Sequence, residues 1–537
     1  MTTFSFFLLF FVVRLNSVDS QCPSIEFCEC DSASSTITCD GNSDNQTDNT
    51  YFPSLSLLPP VEEYIFSNFK QIQPNAFENV TFPSNQSITI RLINISIIHP
   101  DAFSNSMIIP NSSTLSVDIE QSTNPSSIVL RLNAFNHIRL KNLRFANINT
   151  FNGRPIFDTS CFGEQVEIEE LIFQQSGLTG FSNSIRKPAN VKRLSIRECP
   201  SFTQLTDKSL PTFLSTSEAL EISTTGLQLI NSHTFQAWSL VLKELTIRNN
   251  PNFKVLSSNM VDGVLMELEK LDLSNNSVDS IGENYDWFAY SYINHLILKQ
   301  QQLDLFLRTK LLISLSRLKI IDFSESFIQN STQEDLIETY VPSMRNLVSM
   351  NVSYTNLTEQ MIIDLLTRLS NAANRTIAVS LLGRTLHESH FCSYFNVFSK
   401  SPNLLRLELD ETHECNCVVD LFYQDEFVQI VKNDSLKRPK CLHDMRRTRC
   451  NIQEQLSTLK CSIAKPNPDK PDKNERNVGN EAFIGIVVGL SVFLLVLLAV
   501  GTGVAYRARA NRRMTILDME VPIENPLAVI IEERSQK

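Results

Sequence analysis

Apolar residues recur at fixed offsets through the middle of the chain. Leu268, Leu271, Leu273, Asn276, Val278 and Ile281 fit the pattern L-x-x-L-x-L-x-x-N-x-L-x-x-L without a gap. Leu242, Leu245, Ile247, Asn250 and Phe253 nearly match it one turn earlier. Ile293, Leu296, Leu298 and Leu303 continue it with Gln301 in the Asn place, and Leu318, Ile321, Phe323 and Ile328 follow. Leu347, Met350, Val352 and Leu357 come next; upstream stand Ile168, Leu171, Phe173 and Leu178, then Val191, Leu194, Ile196 and Cys199. With the second apolar position as reference, residues 171, 194, 220, 245, 271, 296, 321 and 350 are 23 to 29 apart. A period of that length predicts stacked coils, each too small to bury its apolar face alone.

Weaker copies flank this region. Ile88, Ile90, Ile95, Ile98, Ala102 and Phe103 suggest earlier coils, as do Phe69, Ile72, Ala76 and Phe77. Residues 105–165 carry no clear phase, and Leu404, Leu407 and Leu409 form the last coil. On these residues the chain resembles extracellular leucine-rich-repeat proteins with cysteine-rich caps. The resemblance implies an α/β solenoid of roughly 13 coils, each of about 20–29 residues. Its short parallel strands line a concave face. The L-x-L residues would point inward, and each Asn would satisfy backbone groups where the chain turns. The Ala76-Phe77 and Ala102-Phe103 pairs would fill the convex side.

Cysteines bracket the array. Cys22, Cys28, Cys30 and Cys39 precede it with spacing C-x5-C-x-C-x8-C, which resembles the family's amino-terminal cap and implies Cys22–Cys30 and Cys28–Cys39 bridges. Cys415, Cys417, Cys441 and Cys461 resemble the carboxy-terminal cap and imply Cys415–Cys441 and Cys417–Cys461. The family's Asn-Pro-Trp lead-in is replaced by Thr412-His413-Glu414. Cys450 is extra, with Cys392 as a partner in view; Cys161 and Cys199 either pair or both stay reduced in the core.

Two apolar stretches set the expected compartment. Phe4 to Val13, broken by Ser5, with short residues up to Ser20, reads as a secretory signal over 1–20. No Lys or Arg precedes that run, and Arg14 follows it. Ala482 to Tyr506 is uncharged over 25 residues, and Arg507, Arg509, Arg512 and Arg513 follow at once. About 20 apolar residues cross a bilayer, and basic residues mark the cytoplasmic side. The expected order is therefore signal 1–20, amino cap 21–50, repeats 51–410, carboxy cap 411–461, stalk 462–481, transmembrane helix 482–506 and cytoplasmic tail 507–537. This is a single-pass plasma-membrane glycoprotein with its amino terminus outside. Sequons stand at Asn45, Asn79, Asn85, Asn94, Asn111, Asn275, Asn330, Asn351, Asn356, Asn374 and Asn433, all before the span. Small pairs in the span, Gly485 with Gly489 and Ala499 with Gly503, would let two helices approach as a homodimer.

Composition adds exclusions. Hydrophobic residues are 42% and charged residues 20%, too apolar for a disordered chain. The net charge of −11 argues against nucleic acid as partner. Only 14 glycines are present, and no phosphate loop, zinc-protease helix or nucleophile elbow is found. The reading is a non-enzyme with no cofactor and no metal. His387-Glu388-Ser389-His390 with Cys392 has metal-like spacing, but beside a cap such a thiol is expected in a disulfide.

What remains is recognition. Lys437, Arg438, Lys440, Arg446, Arg447 and Arg449 form a basic cluster suited to a sulfated glycan. The resemblance makes the concave strand positions the ligand surface: Arg193, Arg197, Glu221, Glu244, Arg248, Lys270, Asp272, His295 and Lys299, with Ser195, Ser223, Thr246, Ser274, Ile297, Asp322, Ser324, Asn351 and Ser353 among them. A sugar on Asn351 would project over that face, so a protein ligand is expected on coils before residue 330. The implied function is adhesion or cell-surface recognition of an extracellular protein or matrix ligand. The alternatives are a co-receptor without its own signalling domain and a matrix-organising component.

Overall fold

The computed structural model describes residues 27–461 with interruptions, the longest at 43–51, 257–266, 282–291, 309–316 and 423–451. The expected signal, stalk, span and tail lie outside the described residues, as does the basic cluster from Lys437 to Arg449. Among the described residues no helix is long and apolar enough to cross a membrane.

One 16-stranded sheet organises the chain. In order across it run β1 (Cys28–Asp31), β2 (Thr36–Asp40), β3 (Glu63–Ser67), β4 (Ser87–Ile93), β5 (Thr114–Glu120), β6 (Arg139–Ala146), β7 (Glu167–Gln174) and β8 (Asn190–Arg197). The order continues through β9 (Ala219–Ser223), β10 (Glu244–Arg248), β11 (Lys270–Asp272), β12 (His295–Ile297), β13 (Ile320–Asp322), β14 (Ser349–Asn351), β15 (Ile377–Ser380) and β16 (Leu405–Glu408). Spatial order equals chain order. Only β1–β2 is antiparallel; every later neighbour is parallel. From β2 onward each strand is thus one turn of a parallel solenoid, with the repeat period read from the sequence.

The register aligns Tyr64, Ile90, Val117, Leu143, Leu171, Leu194, Leu220, Leu245, Leu271, Leu296, Ile321, Met350, Val379 and Leu407 in one inward row. Residues 105–165 therefore keep the same period, through β5 and β6. Alternate residues of each strand face the core, so Leu194 and Ile196 are buried while Arg193 and Arg197 reach solvent.

Behind the sheet the coils are filled differently along the chain. In the amino-terminal half, Phe77, Phe103, Phe135 and Phe162 stack coil upon coil, with centroids 4.5, 5.0 and 6.0 Å apart. Each follows a small residue: Ala76, Ala102, Ala134 and Cys161. Short parallel strands return the chain there, as in the four-stranded set around Ile97–Ile98. In the carboxy-terminal half, helices take that role, including Glu359–Ala372 and Phe391–Lys400.

Two polar columns close each turn. Asn68, Asn94, Asn147, Gln175, Glu198, Thr224, Asn249, Asn275, Gln300, Glu325 and Tyr354 all take φ of 50–61° just past their strands, and Gly383 continues the series at 69°. The N–H of each from Asn68 to Tyr354 donates to a carbonyl of the next coil, as from Asn249 to Ser274 and from Asn275 to Lys299. The residue after each left-handed position turns inward. There Asn276 Nδ2 donates to Ile247 O at 2.6 Å and Leu273 O at 2.7 Å, while its Oδ1 accepts from Asn250 N at 3.1 Å. Gln301 stands in for Asn, donating to Leu273 O at 2.8 Å. Upstream this column holds Phe69, Ile95 and Ile148, so no asparagine marks the coils there.

Disulfides secure both ends. Cys28 and Cys39 face each other across β1 and β2 and are bonded, and Cys30 is also disulfide-bonded. The expected Cys417–Cys461 bridge does not form: Cys461 is bonded to Cys392. Cys392 starts the helix Phe391–Lys400, and Cys461 follows the short helix Ile452–Thr458, which brings their Cα atoms to 5.3 Å. The pairing of Cys392 with Cys450 is overturned by the same bond. Cys417 is disulfide-bonded too. Cys22, Cys415, Cys441 and Cys450 lie outside the described residues. Cys161 and Cys199 are unbonded and buried, which settles the open choice between a bridge and two core thiols.

Candidate functional site

The expected ligand positions all fall on the outward face of the long sheet, in three rows set by the strand register. The first row reads Arg193, Ala219, Glu244, Lys270, His295, Ile320 and Ser349. The middle row reads Ser195, Glu221, Thr246, Asp272, Ile297, Asp322 and Asn351. Arg197, Ser223 and Arg248 begin the last row, and the backbone bonds carry it on through Ser274, Lys299, Ser324 and Ser353.

From β7 to β10 these side chains are bonded to one another. Arg197 pairs with Glu221 at 2.7 Å and Glu170 at 3.1 Å. Arg248 reaches the other oxygen of Glu221 at 3.0 Å. Ser195 Oγ donates to Glu170 at 2.8 Å, and Ser223 Oγ donates to Glu221 at 3.1 Å. Arg193 crosses over Ala219 to Glu244 at 3.1 Å. Burial alone would push the Glu221 carboxyl up. The hydrogen bond from Arg197 and the charges of Arg197 and Arg248 outweigh that and hold it below the usual carboxylate range. Five expected residues, Arg193, Arg197, Glu221, Glu244 and Arg248, are thus brought into two adjoining ion-pair sets.

Glu170 was not among the expected residues. Its signal was available, since it immediately precedes Leu171 as Arg193 precedes Leu194. A further set lies upstream, across β3 to β6. Arg144 approaches Asp118 at 3.7 Å, and Arg91 lies 3.7 Å from Glu63 and 3.8 Å from Glu120. Burial raises the Asp118 carboxyl, with Arg144 and Arg91 offsetting only part of the shift.

From β11 onward the bonding changes. Lys299 pairs with Glu325 at 2.5 Å. Lys270 and Asp272 make no ion pair among the described residues, and Asp272 Oδ1 instead accepts from Ser274 N at 2.9 Å. Asp322 and Asn351 do the same toward Ser324 N at 2.8 Å and Ser353 N at 3.0 Å. His295 is held below the usual imidazole range by burial first and by Lys270 second, against Asp272, Asp322 and Glu244.

The His387–Cys392 segment serves structure. The Cys392 sulfur is in its disulfide, and His387 N donates to Glu359 Oε1 at 2.7 Å. Among the described residues no group of His, Cys, Asp or Glu is placed to hold a metal ion.

No protein-family model and no curated protein matches the chain. Among solved structures it is similar to the crystal structure of the mouse RP105/MD-1 complex, at 14% identity and a TM-score of 0.34, over 78% of this chain and 83% of that one.

Proposed function

We propose that this chain is a cell-surface recognition or adhesion receptor that binds an extracellular protein or matrix ligand through the outward face of its long sheet. The carrying observation is that face itself. The fourteen strands from β3 to β16 present it without a break, over about 60 Å along the sheet at ~4.8 Å per strand. Polar side chains on it are bonded in the plane of the surface instead of converging on a cleft, which suits docking over catalysis, with no cofactor. In this reading residues 1–20 are a signal, residues 482–506 anchor the chain in the plasma membrane, and exposed sequons carry glycans.

The test is the full chain on cells. An epitope inserted after Gln21 should be stained without permeabilisation, and expressing cells should aggregate or bind matrix. Staining only after permeabilisation would end the reading. Aggregation that persists without residues 507–537 favours adhesion over a co-receptor role. Recovery of the ectodomain mainly in the matrix would favour the matrix-organising alternative.

A further inference from the structure

Among the described residues, Phe327 is the one phenylalanine that is more than half exposed, at 56%. Its backbone holds it there. Phe327 bridges Gln302 of the preceding coil in parallel register, and its N–H donates to Gln301 O at 3.0 Å. Ile328 N donates to Asn356 Oδ1 at 2.8 Å, and Gln329 N donates to Asp304 Oδ1 at 2.8 Å. With the segment pinned to the coils on both sides, alternation sends Ile328 inward and Phe327 outward. An exposed phenyl ring forgoes one of the largest apolar burials a side chain offers.

Three residues on, the chain offers a cover. Asn330-Ser331-Thr332 is a sequon, and Asn330 is exposed at the start of the short helix Asn330–Asp335. Asn330 Oδ1 accepts from Gln333 Nε2 at 3.3 Å, and Gln333 is 1% exposed, so a buried partner orients the amide. Asn330 Nδ2 has no partner among the described residues. The amides of Asn94, Asn275 and Asn356 differ: their Nδ2 atoms donate to Asn68 Oδ1, Asn249 Oδ1 and Ile328 O at 2.8, 2.9 and 2.7 Å.

Resting on the reading of an exported receptor, we propose that Asn330 carries an N-linked glycan and that the Phe327 ring is the platform on which its first sugars lie. Transfer joins Asn330 Nδ2 to C1 of the first N-acetylglucosamine. The bond from C1 to the pyrophosphate of the lipid-linked donor breaks, the lipid pyrophosphate leaves, and Nδ2 gives up one proton. The segment is modified before it folds, so the burial of Thr332 does not oppose the step. At most about 11 Å of backbone separates the two Cα atoms, within reach of a two-sugar core lying back along the chain. The C–H groups of one pyranose face then meet the negative face of the phenyl ring. The contact orders the sugar; the coil, closed by its own bonds, does not depend on it.

The full chain is expressed in cells, purified in detergent and treated with a peptide N-glycosidase. Glycopeptide mapping should find Asn330 occupied. Release of its sugar from the folded wild type should be at least fivefold slower than from folded Phe327→Ala, with equal rates once both chains are denatured. Phe327→Tyr should keep the protection, and Phe327→Leu, apolar without an aromatic face, should lose it. An unmodified Asn330, equal release from the folded wild type and Phe327→Ala, or full protection in Phe327→Leu would overturn the proposal. If the epitope after Gln21 stains only after permeabilisation, the export reading falls and this proposal falls with it. If it stains on intact cells and other sequons carry sugar while Asn330 is bare or unprotected, this site fails alone.

Discussion

Arg197 holds Glu221 at 2.7 Å from the adjacent strand, and Arg248 holds the opposite oxygen of the same carboxylate from the other side. The carboxylate is nearly buried while the guanidiniums are 37% and 46% exposed, so solvent screens part of the attraction. Glu221→Gln should cost about 1 kcal/mol at neutral pH. Because the folded carboxyl titrates below its ordinary value of 4.5, the contribution is complete above that pH and is lost as pH falls through the folded value. Thermal unfolding of wild type and variant should therefore differ most near neutrality and converge in acid. A gap that widens on acidification would contradict the assignment.

Asn276 makes a different kind of contribution. Its amide satisfies two carbonyls and one N–H inside the coil, at 2.6, 2.7 and 3.1 Å. Alanine there would leave Ile247 O and Asn250 N buried and unpaired, while Leu273 O keeps its bond from Gln301 Nε2, at a cost of about 2–4 kcal/mol. Hydrogen exchange should show faster opening at Ile247–Asn250 and Leu273–Asn276, with remote coils unchanged, as expected where each coil touches only its neighbours. Asn330→Ala, at an exposed helix start, should cost less than about 0.5 kcal/mol.

These columns explain how far the sequence could be read. From Leu171 to Leu357 the inward L-x-L residues and the Asn250–Asn276 pair phase the coils, and the strands lie where that phase puts them. At Phe69, Ile95 and Ile148 the asparagine column is apolar, so the period persists there without its marker. Ala134-Phe135 and Cys161-Phe162 continue the doublets of Ala76-Phe77 and Ala102-Phe103 and would have carried the phase through. Outward positions were legible because they alternate with inward ones. Their partners were not, since Arg193 meets Glu244 two coils away only because Ala219 is small. The Cys392–Cys461 bond joins the helix Phe391–Lys400, between β15 and β16, to the end of the chain's array, a placement that spacing between cysteines does not encode.

The aromatic column yields a contrast between two of its coils. Phe103 is fully buried between Phe77 and Phe135, and Phe103→Ala should cost about 3–5 kcal/mol by opening a cavity in the stack. Cys161 occupies the place that Ala76, Ala102 and Ala134 hold in earlier coils, so Cys161→Ala should cost less than about 1.5 kcal/mol. Burial raises the thiols of both Cys161 and Cys199, further from the reactive thiolate. A thiol reagent should label neither in the native protein and both after denaturation, without reductant. Labelling of either residue in the folded chain would show that its coil is open.

Sequons on this chain are not equivalent, and the hydrogen bonds separate them. Asn356 Nδ2 donates to Ile328 O at 2.7 Å, and Asn356 Oδ1 accepts from Ile328 N at 2.8 Å, so both ends of its amide bind one residue of the preceding coil. A glycan on Nδ2 would have to leave through that contact, taking about 1–3 kcal/mol of paired backbone with it. Asn85 and Asn330 are exposed, and their amides can carry a sugar outward; Asn275 is exposed as well, with its Nδ2 donating only to the exposed Asn249 side chain at 2.9 Å. If the chain is exported as proposed, glycopeptide mapping should find Asn356 unmodified and one or more of Asn85, Asn275 and Asn330 occupied. Asn45, Asn79, Asn111, Asn374 and Asn433 lie outside the described residues and leave this comparison unaffected. Asn356→Gln should then weaken the coil at Ile328 without changing the glycan mass, whereas Asn275→Gln should remove glycan mass if that site is used. A mapped sugar on Asn356 would mean that the turn beside Ile328 forms differently in the exported protein.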